Sequence, residues 1–130
     1  STIYPMLKVL AEEEKVLSQV EYVGKKKKEV FSITDKGREE FNAWIKSPTG
    51  SEIPRNEFLL KIFFVTDSDE IARLFLERLE KIEKTFEAYK AIEKRLEGLG
   101  DSPRKAIRLK ALRYGMAHLA LEIQWLKEGI

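Results

Sequence analysis

The chain has 130 residues and is 43% hydrophobic, so it is long enough to bury a core. It contains no cysteine, which excludes disulfide frameworks, iron–sulfur clusters and thiolate zinc sites. A formal charge of +2 identifies no partner, and the absence of an apolar run of about 18 residues argues against a membrane span or a signal peptide. We therefore expect a soluble cytoplasmic protein in which the position of the charges matters more than their sum.

The first segment predicts a short helix. Ser1 or Thr2 can cap it, Pro5 lies in its first turn, and apolar residues recur at spacings of three and four until about Glu14. The helix therefore presents one apolar face.

A β-hairpin is predicted next. β-Branched and aromatic residues over 16–23 and 29–34 favour two strands, and Gly24 lies between them with four consecutive lysines. We expect a hairpin with a basic tip, formed by Lys25, Lys26, Lys27 and Lys28.

A second helix is predicted over 35–45, with Thr34 as its N-cap. Prolines, a glycine and small polar residues follow, which is typical of a surface connection. We place this connection at 48–55, between a first region, 1–47, and a second region, 56–130.

The second region predicts helices only. A short apolar helix covers about 57–65, and Asp67 caps a long amphipathic helix that ends near Gly98. Ser102 then begins a final helix, with a proline in its first turn. We expect the two long helices to form an antiparallel hairpin, which makes the fold class mainly α with one small β-hairpin.

Several motifs resemble the PadR family of transcriptional regulators. The family has a recognition helix, TIYPxLxxLEEEG, and a strand-to-helix junction, YxLTxKGR. Matching stretches occur in the expected order at 1–8 (STIYPMLK), 31–39 (FSITDKGRE), 44–45 (WI), 55–64 (RNEFLLKIFF) and 125–126 (WL). The resemblance implies a winged helix-turn-helix followed by a long-helix dimerisation domain.

The sequence departs from the family pattern at two points. In the family, two further helices precede the recognition helix and complete the helix-turn-helix, so we expect residues upstream of Ser1 in the full protein. We also assign Lys15 to the position that usually holds glycine after the acidic triplet, which leaves the exit from the first helix open.

The resemblance implies that double-stranded DNA is the partner. A recognition helix contacts DNA with its N-terminal turn, and the hairpin is the wing, whose lysines can neutralise phosphates or enter the minor groove. The alternatives are that Tyr4 packs against the upstream helices, that Ser1 only caps, and that the lysine run is a solvated loop. The candidates are Ser1, Thr2, Tyr4, Pro5 and Lys8, with the four lysines.

Surplus apolar surface on the long helices predicts a homodimer. In the family the dimer forms through C-terminal helices, and we expect the contact at Leu119, Ile123, Trp125 and Leu126. The alternative is that Trp125 closes the core of its own chain.

The family also implies a small aromatic effector. The aromatic residues that we expect to line its pocket are Trp44, Phe63, Phe64 and Tyr114. A basic series, Arg104, Lys105, Arg108, Lys110 and Arg113, can hold an anion or pair with acids of the preceding helix. For His118, the only histidine, we expect a packing or surface role.

No enzyme is expected, because one histidine and no cysteine provide no metal-ligand set and no nucleophile-and-base arrangement. We expect no cofactor. The sequence thus favours a ligand-responsive repressor that binds a near-palindromic operator as a homodimer. The rival hypothesis is a helical dimerisation or adaptor module that binds protein.

Overall fold

A computed structural model describes residues 2–52 and 54–129, which divide into two compact units, Ser1–Ile53 and Pro54–Ile130. The first unit contains α1 (Ile3–Glu12), β1 (Val16–Val23), β2 (Lys26–Ile33) and α2 (Asp35–Lys46). The second contains α3 (Glu57–Phe64), α4 (Ser68–Glu97) and α5 (Pro103–Glu128). The predicted fold class, mainly helical with one small antiparallel hairpin, is confirmed.

The end of α1 differs from the prediction. The helix ends at Glu12, and Glu14 adopts a left-handed backbone with φ of 60°. The Glu14 N–H donates to the Ala11 carbonyl at 3.0 Å, and the Lys15 N–H donates to the Leu10 carbonyl at 2.8 Å. These two bonds form the Schellman motif, which usually has glycine at the left-handed position. Counted from Thr2, the glycine of the family motif therefore falls on Glu14, and its assignment to Lys15 was wrong.

The beginning of α1 also differs. Thr2 is the N-cap residue but has a helical backbone, and its side chain makes no capping hydrogen bond. Ser1, the other predicted cap, lies outside the described residues.

The hairpin is longer than its apolar residues indicate. β1 and β2 pair in antiparallel register from Val16 opposite Ile33 to Val23 opposite Lys26, so only Gly24 and Lys25 form the turn. Gly24 has φ of 64°, as the first position of a two-residue type II′ turn requires. The prediction that all four lysines form the tip was therefore wrong, because backbone pairing continues through three of them.

Thr34 caps α2 as predicted, accepting a hydrogen bond from the Gly37 N–H at 3.0 Å. Gly37 is buried, and a Cβ at this position would lie 2.1 Å from the Lys15 carbonyl oxygen. The first turn of α2 can therefore approach the start of β1 only because this residue is glycine.

In the second unit, α4 and α5 form the predicted antiparallel hairpin. Asp67 caps α4 through the Glu70 N–H at 2.8 Å, and Ser102 caps α5 through the Lys105 N–H at 3.1 Å. Among the described residues, the buried hydrophobic side chains are Phe58, Ile82, Leu109 and Leu126. The core therefore lies between α4 and α5, with α3 closing one end.

Two cations of the basic series on α5 stabilise the hairpin of α4 and α5. The Lys105 ammonium donates to the carbonyls of Glu97 and Leu99 at 3.0 and 2.8 Å, which satisfies carbonyls at the end of α4. Arg113 reaches Glu93 and Glu97, both at 2.7 Å. Pairing with the preceding helix thus accounts for these two cations.

Candidate nucleic-acid interface and dimer surface

The N-terminal half of α1 lies against the hairpin. The Tyr4 ring packs edge-on against Phe31 of β2, with centroids 6.5 Å apart. Tyr4 nevertheless remains 57% exposed, and Thr2, Pro5 and Lys8 are exposed as well. Four of the five predicted DNA contacts on α1 are therefore accessible, and the fifth, Ser1, is not described.

The four lysines do not share one surface. Lys25 lies in the turn, and the next three alternate between the two faces of β2. Lys27 lies on the face that carries Phe31, and hence on the side of α1, whereas Lys26 and Lys28 lie on the other face. All four are exposed, and among the described residues none of them forms an ion pair.

An ion-pair cluster fixes the exit from α1. The Lys15 ammonium lies 2.6 Å from the Glu13 carboxylate and 2.8 Å from that of Glu40 on α2. Hydrogen bonding to Glu13 and Glu40 raises the pKa of Lys15, and Lys15 lowers the pKa of Glu13. The cluster's contribution to stability is thus lost as pH falls through the lowered Glu13 pKa, or rises through the raised Lys15 pKa.

The predicted effector residues lie on three different helices. Trp44 packs on Phe41 in the first unit, with ring centroids 5.7 Å apart, beside an apolar cavity of about 360 Å³. In the second unit, Phe63 and Phe64 contact each other at 5.2 Å on α3. Tyr114 instead contacts His118 on α5 at 4.7 Å. The effector pocket therefore stays a prediction.

Three of the four residues predicted at the dimer contact lie on the face of α5 that packs along α4 within the single chain. Leu126 is only 5% exposed in the single chain, and Leu119 and Ile123 are half-buried. All three lie on one face of α5, which continues through Leu109, Leu112 and Met116 and packs along α4. A dimer contact through these three residues therefore stays a prediction.

For Trp125, the alternative was that it closes the core of its own chain, and the structure agrees with this in part. Its ring packs on Phe75 at 5.5 Å and on Phe58 at 6.4 Å, so it helps to close the core of its own chain. It remains 42% exposed, which leaves one edge for a partner.

A second apolar stripe runs along the other side of α5. Its members recur at alternating spacings of four and three, and all are exposed: Ile107, Ala111, Tyr114, His118, Leu121 and Trp125. We call this set the outer stripe. Heptad spacing of this kind is typical of a helix that packs against another helix. Ile107 and Leu121 were not predicted at this surface, although the spacing itself was a usable signal.

Tyr22 was also missed. It is 71% exposed, and it lies directly opposite Lys27 across the hairpin. Sequence reasoning could have found the pair only with the hairpin register, which depends on the length of the turn.

Within the described residues, no helix is long and apolar enough to cross a membrane, and no three acidic or histidine side chains cluster as metal ligands.

Comparisons with known proteins agree with the fold. The family described as virulence activator alpha C-term matches residues 54–130. The structure is similar to smu.1604c from Streptococcus mutans, at 26% identity and a TM-score of 0.82 over 98% of this chain and 76% of that one. It is similar to the PadR-like transcriptional regulator BC1756 from Bacillus cereus, at 26% identity and a TM-score of 0.77 over 97% and 71%.

Bacillus subtilis PadR shares the fold at 24% identity, with a TM-score of 0.74 over 98% of this chain and 75% of that one, in a structure that contains operator DNA. The same protein has been solved with p-coumaric acid, where the TM-score is 0.66 at 23% identity, over 97% and 70%. No curated protein matches the sequence. The solved neighbours named here by function are transcriptional regulators and not enzymes.

Proposed function

This chain belongs to the PadR-like regulators with a virulence activator alpha C-terminal domain, and we propose on that premise that it represses transcription by binding a near-palindromic operator as a homodimer. The first unit reads DNA, and the second unit joins two copies. The protein acts in the cytoplasm.

One observation carries the DNA-binding proposal: the packing of Tyr4 on Phe31 sets the start of α1 against the hairpin. The first turn of α1 and the basic wing therefore belong to one surface. A recognition helix enters the major groove with its N-terminal residues, which is the position of Thr2, Tyr4 and Lys8. Lysine on the wing then neutralises phosphate beside that groove.

The outer stripe supports the homodimer. It leaves Ile107, Tyr114 and Leu121 between 66% and 71% exposed on one side of α5, which is costly in water unless another surface covers it. A second copy packed antiparallel covers the stripe with itself, because a two-fold axis that crosses the stripe at the level of residue 116 brings each end opposite the other.

Charge favours the antiparallel arrangement. The first half of α5 carries Arg104, Arg108 and Lys110, whereas the second half carries fewer cations, and its Glu122 is paired with Arg78 of the same chain at 2.6 Å. Antiparallel packing keeps the two basic halves apart, whereas parallel packing sets them side by side.

Control by an effector is the finer part of the proposal. The likeness to a protein solved with p-coumaric acid supports a small aromatic ligand. Of the aromatic side chains predicted to line its pocket, Trp44, Phe63 and Phe64 stay assigned to it, whereas Tyr114 belongs to the outer stripe and is assigned to the dimer contact. Ligand binding that favours a conformation unable to hold DNA releases the operator.

A gel-shift titration of the full-length protein against its own promoter region, at two salt concentrations, tests the function. We expect a complex that prefers the promoter over unrelated DNA and weakens steeply with salt. Tyr4→Ala should reduce the preference for the promoter, whereas the exposed Lys94→Ala on α4 should leave it unchanged. Absence of any sequence-preferring complex would instead favour the adaptor hypothesis, for which the exposed outer stripe is the supporting observation.

A further inference from the structure

We propose that Tyr22 and Lys27 form the DNA-contacting pair of the wing, and that Lys26 and Lys28 face away from the duplex. This inference rests on the proposed DNA-binding function and assigns the contact to one face of the hairpin. It adds Tyr22 to the interface and divides a lysine run that looks uniform in sequence.

The register of the hairpin separates the lysines. Tyr22 is directly opposite Lys27, and residues directly opposite each other in an antiparallel pair project to the same face. Phe31 lies four residues from Lys27 on the same strand, so it shares that face. Lys26 and Lys28, one residue away on either side, project to the opposite face.

The position of α1 decides which face is turned toward DNA. Tyr4 packs on Phe31, so α1 lies over the face that carries Lys27. Four residues of β-strand span about 13 Å. Lys27 thus lies about 13 Å along the strand from the residue on which Tyr4 packs. The major groove is about 12 Å wide, so a helix that lies in it leaves the pair within reach of the phosphates along the groove's edge.

The chemistry of the pair suits contact with the phosphates along the edge of the major groove, or with the minor groove beside them. The Lys27 ammonium supplies a positive charge, and the Tyr22 hydroxyl can donate a hydrogen bond to a phosphate oxygen. Tyr22 is 71% exposed although it carries a large apolar ring, and nothing among the described residues covers that ring.

Carboxylates limit the contact to this pair. Glu29 lies on the same face, two residues nearer the base of the hairpin, where it accepts a hydrogen bond from the Ser18 hydroxyl at 2.5 Å. Its negative charge opposes phosphate contact farther down the face. On the other face, Glu21 lies directly opposite Lys28 and offsets part of its charge.

The test compares four single variants of the full-length protein: Lys27→Gln, Lys28→Gln, Tyr22→Ala and Val23→Ala. Lys28 and Val23 are matched controls, since both are exposed strand residues on the opposite face. Binding to a fluorescent duplex from the promoter fragment is measured by anisotropy over a series of salt concentrations. Thermal unfolding of each variant checks that the hairpin is retained.

We expect Lys27→Gln to weaken binding on the order of fivefold at physiological salt, and to reduce the slope of log K against log salt by about 0.9, as expected when one phosphate is no longer neutralised. Tyr22→Ala should weaken binding with little change in slope. Both controls should bind within about twofold of the wild type.

Two results overturn the inference, and they are distinguishable. If the wild type binds the promoter but Lys28→Gln is as harmful as Lys27→Gln, the assignment to one face is wrong while the proposed function stands. If the wild type shows no binding that prefers the promoter, the proposed function fails and the assignment of the wing pair fails with it.

Discussion

Glu14 is the residue at which the backbone takes the least favourable conformation. It is the only described non-glycine residue with positive φ, and it is held there by the Schellman hydrogen bonds and by the Thr34 hydroxyl, which donates to its carbonyl at 2.7 Å. A Cβ costs roughly 1 kcal/mol in this region. The sharp exit from α1 into β1 is therefore set by these hydrogen bonds and not by the preference of the residue itself.

Glu14→Gly should raise the free energy of unfolding by about 1 kcal/mol, because the strain is removed while both backbone hydrogen bonds remain. The substitution also removes a weak ion pair between the Glu14 carboxylate and the Lys36 ammonium, which are 3.9 Å apart. Chemical denaturation measures the change. Glu12→Gly is the matched control, and it should destabilise by a similar amount, since Glu12 lies within the helix. Destabilisation by Glu14→Gly would contradict this explanation.

At the scale of elements, α5 has two apolar faces with different tasks. One face, from Leu109 to Leu126, packs along α4 within the chain, and the outer stripe lies on the other side. Apolar spacing on α5 was recognisable in the sequence, but the partner of each face was not, because both faces have heptad spacing.

Truncation of one leucine on each face distinguishes packing within the chain from contact with a second copy. Leu126→Ala should lower the free energy of unfolding by about 2–4 kcal/mol, since it leaves a cavity at a side chain that is 5% exposed. Leu121→Ala should leave the stability at high protein concentration nearly unchanged and shift the monomer–dimer equilibrium toward the monomer. Thermal unfolding and analytical ultracentrifugation over a dilution series measure the two effects. Equal destabilisation of both variants would argue against separate roles for the two faces of α5.

At the scale of the whole molecule, the proposed antiparallel dimer makes a geometric prediction. A two-fold axis that crosses the outer stripe at the level of residue 116 brings Ala111 of one protomer opposite the partner's Leu121. The same axis keeps each Ala111 about 15 Å from the partner's Ala111, given a helical rise of about 1.5 Å per residue. A disulfide requires Cα atoms within about 7 Å, so only the mixed pair can form one.

The chain contains no cysteine, so a crosslink in a single-cysteine variant can form only through the introduced residue. Ala111→Cys and Leu121→Cys should each remain uncrosslinked alone under mild oxidation, and should form a covalent dimer when the two proteins are mixed, unfolded together and refolded. Non-reducing gel electrophoresis detects the product. Crosslinking of either variant alone would indicate a parallel arrangement, and no crosslinking in the mixture would refute this register.

Features that depend on local chemistry could be predicted from the amino-acid sequence alone. The N-caps at Thr34, Asp67 and Ser102 were predictable because a capping side chain bonds to an amide only three residues away. Motifs in the right order also indicated the family. Helix and strand identities followed from periodicity, which a single chain displays directly.

Features that depend on residues distant in sequence became recognisable only in the folded chain. Pairing of β1 with β2 carried the strand through the lysines, and contact of Tyr4 with Phe31 gave the two faces of the hairpin different roles. Packing along α4 chose between the two apolar faces of α5, and it made Leu126 part of the core. Lysines that look alike in the sequence, and leucines that look alike on one helix, become different only when another element occupies one of their faces.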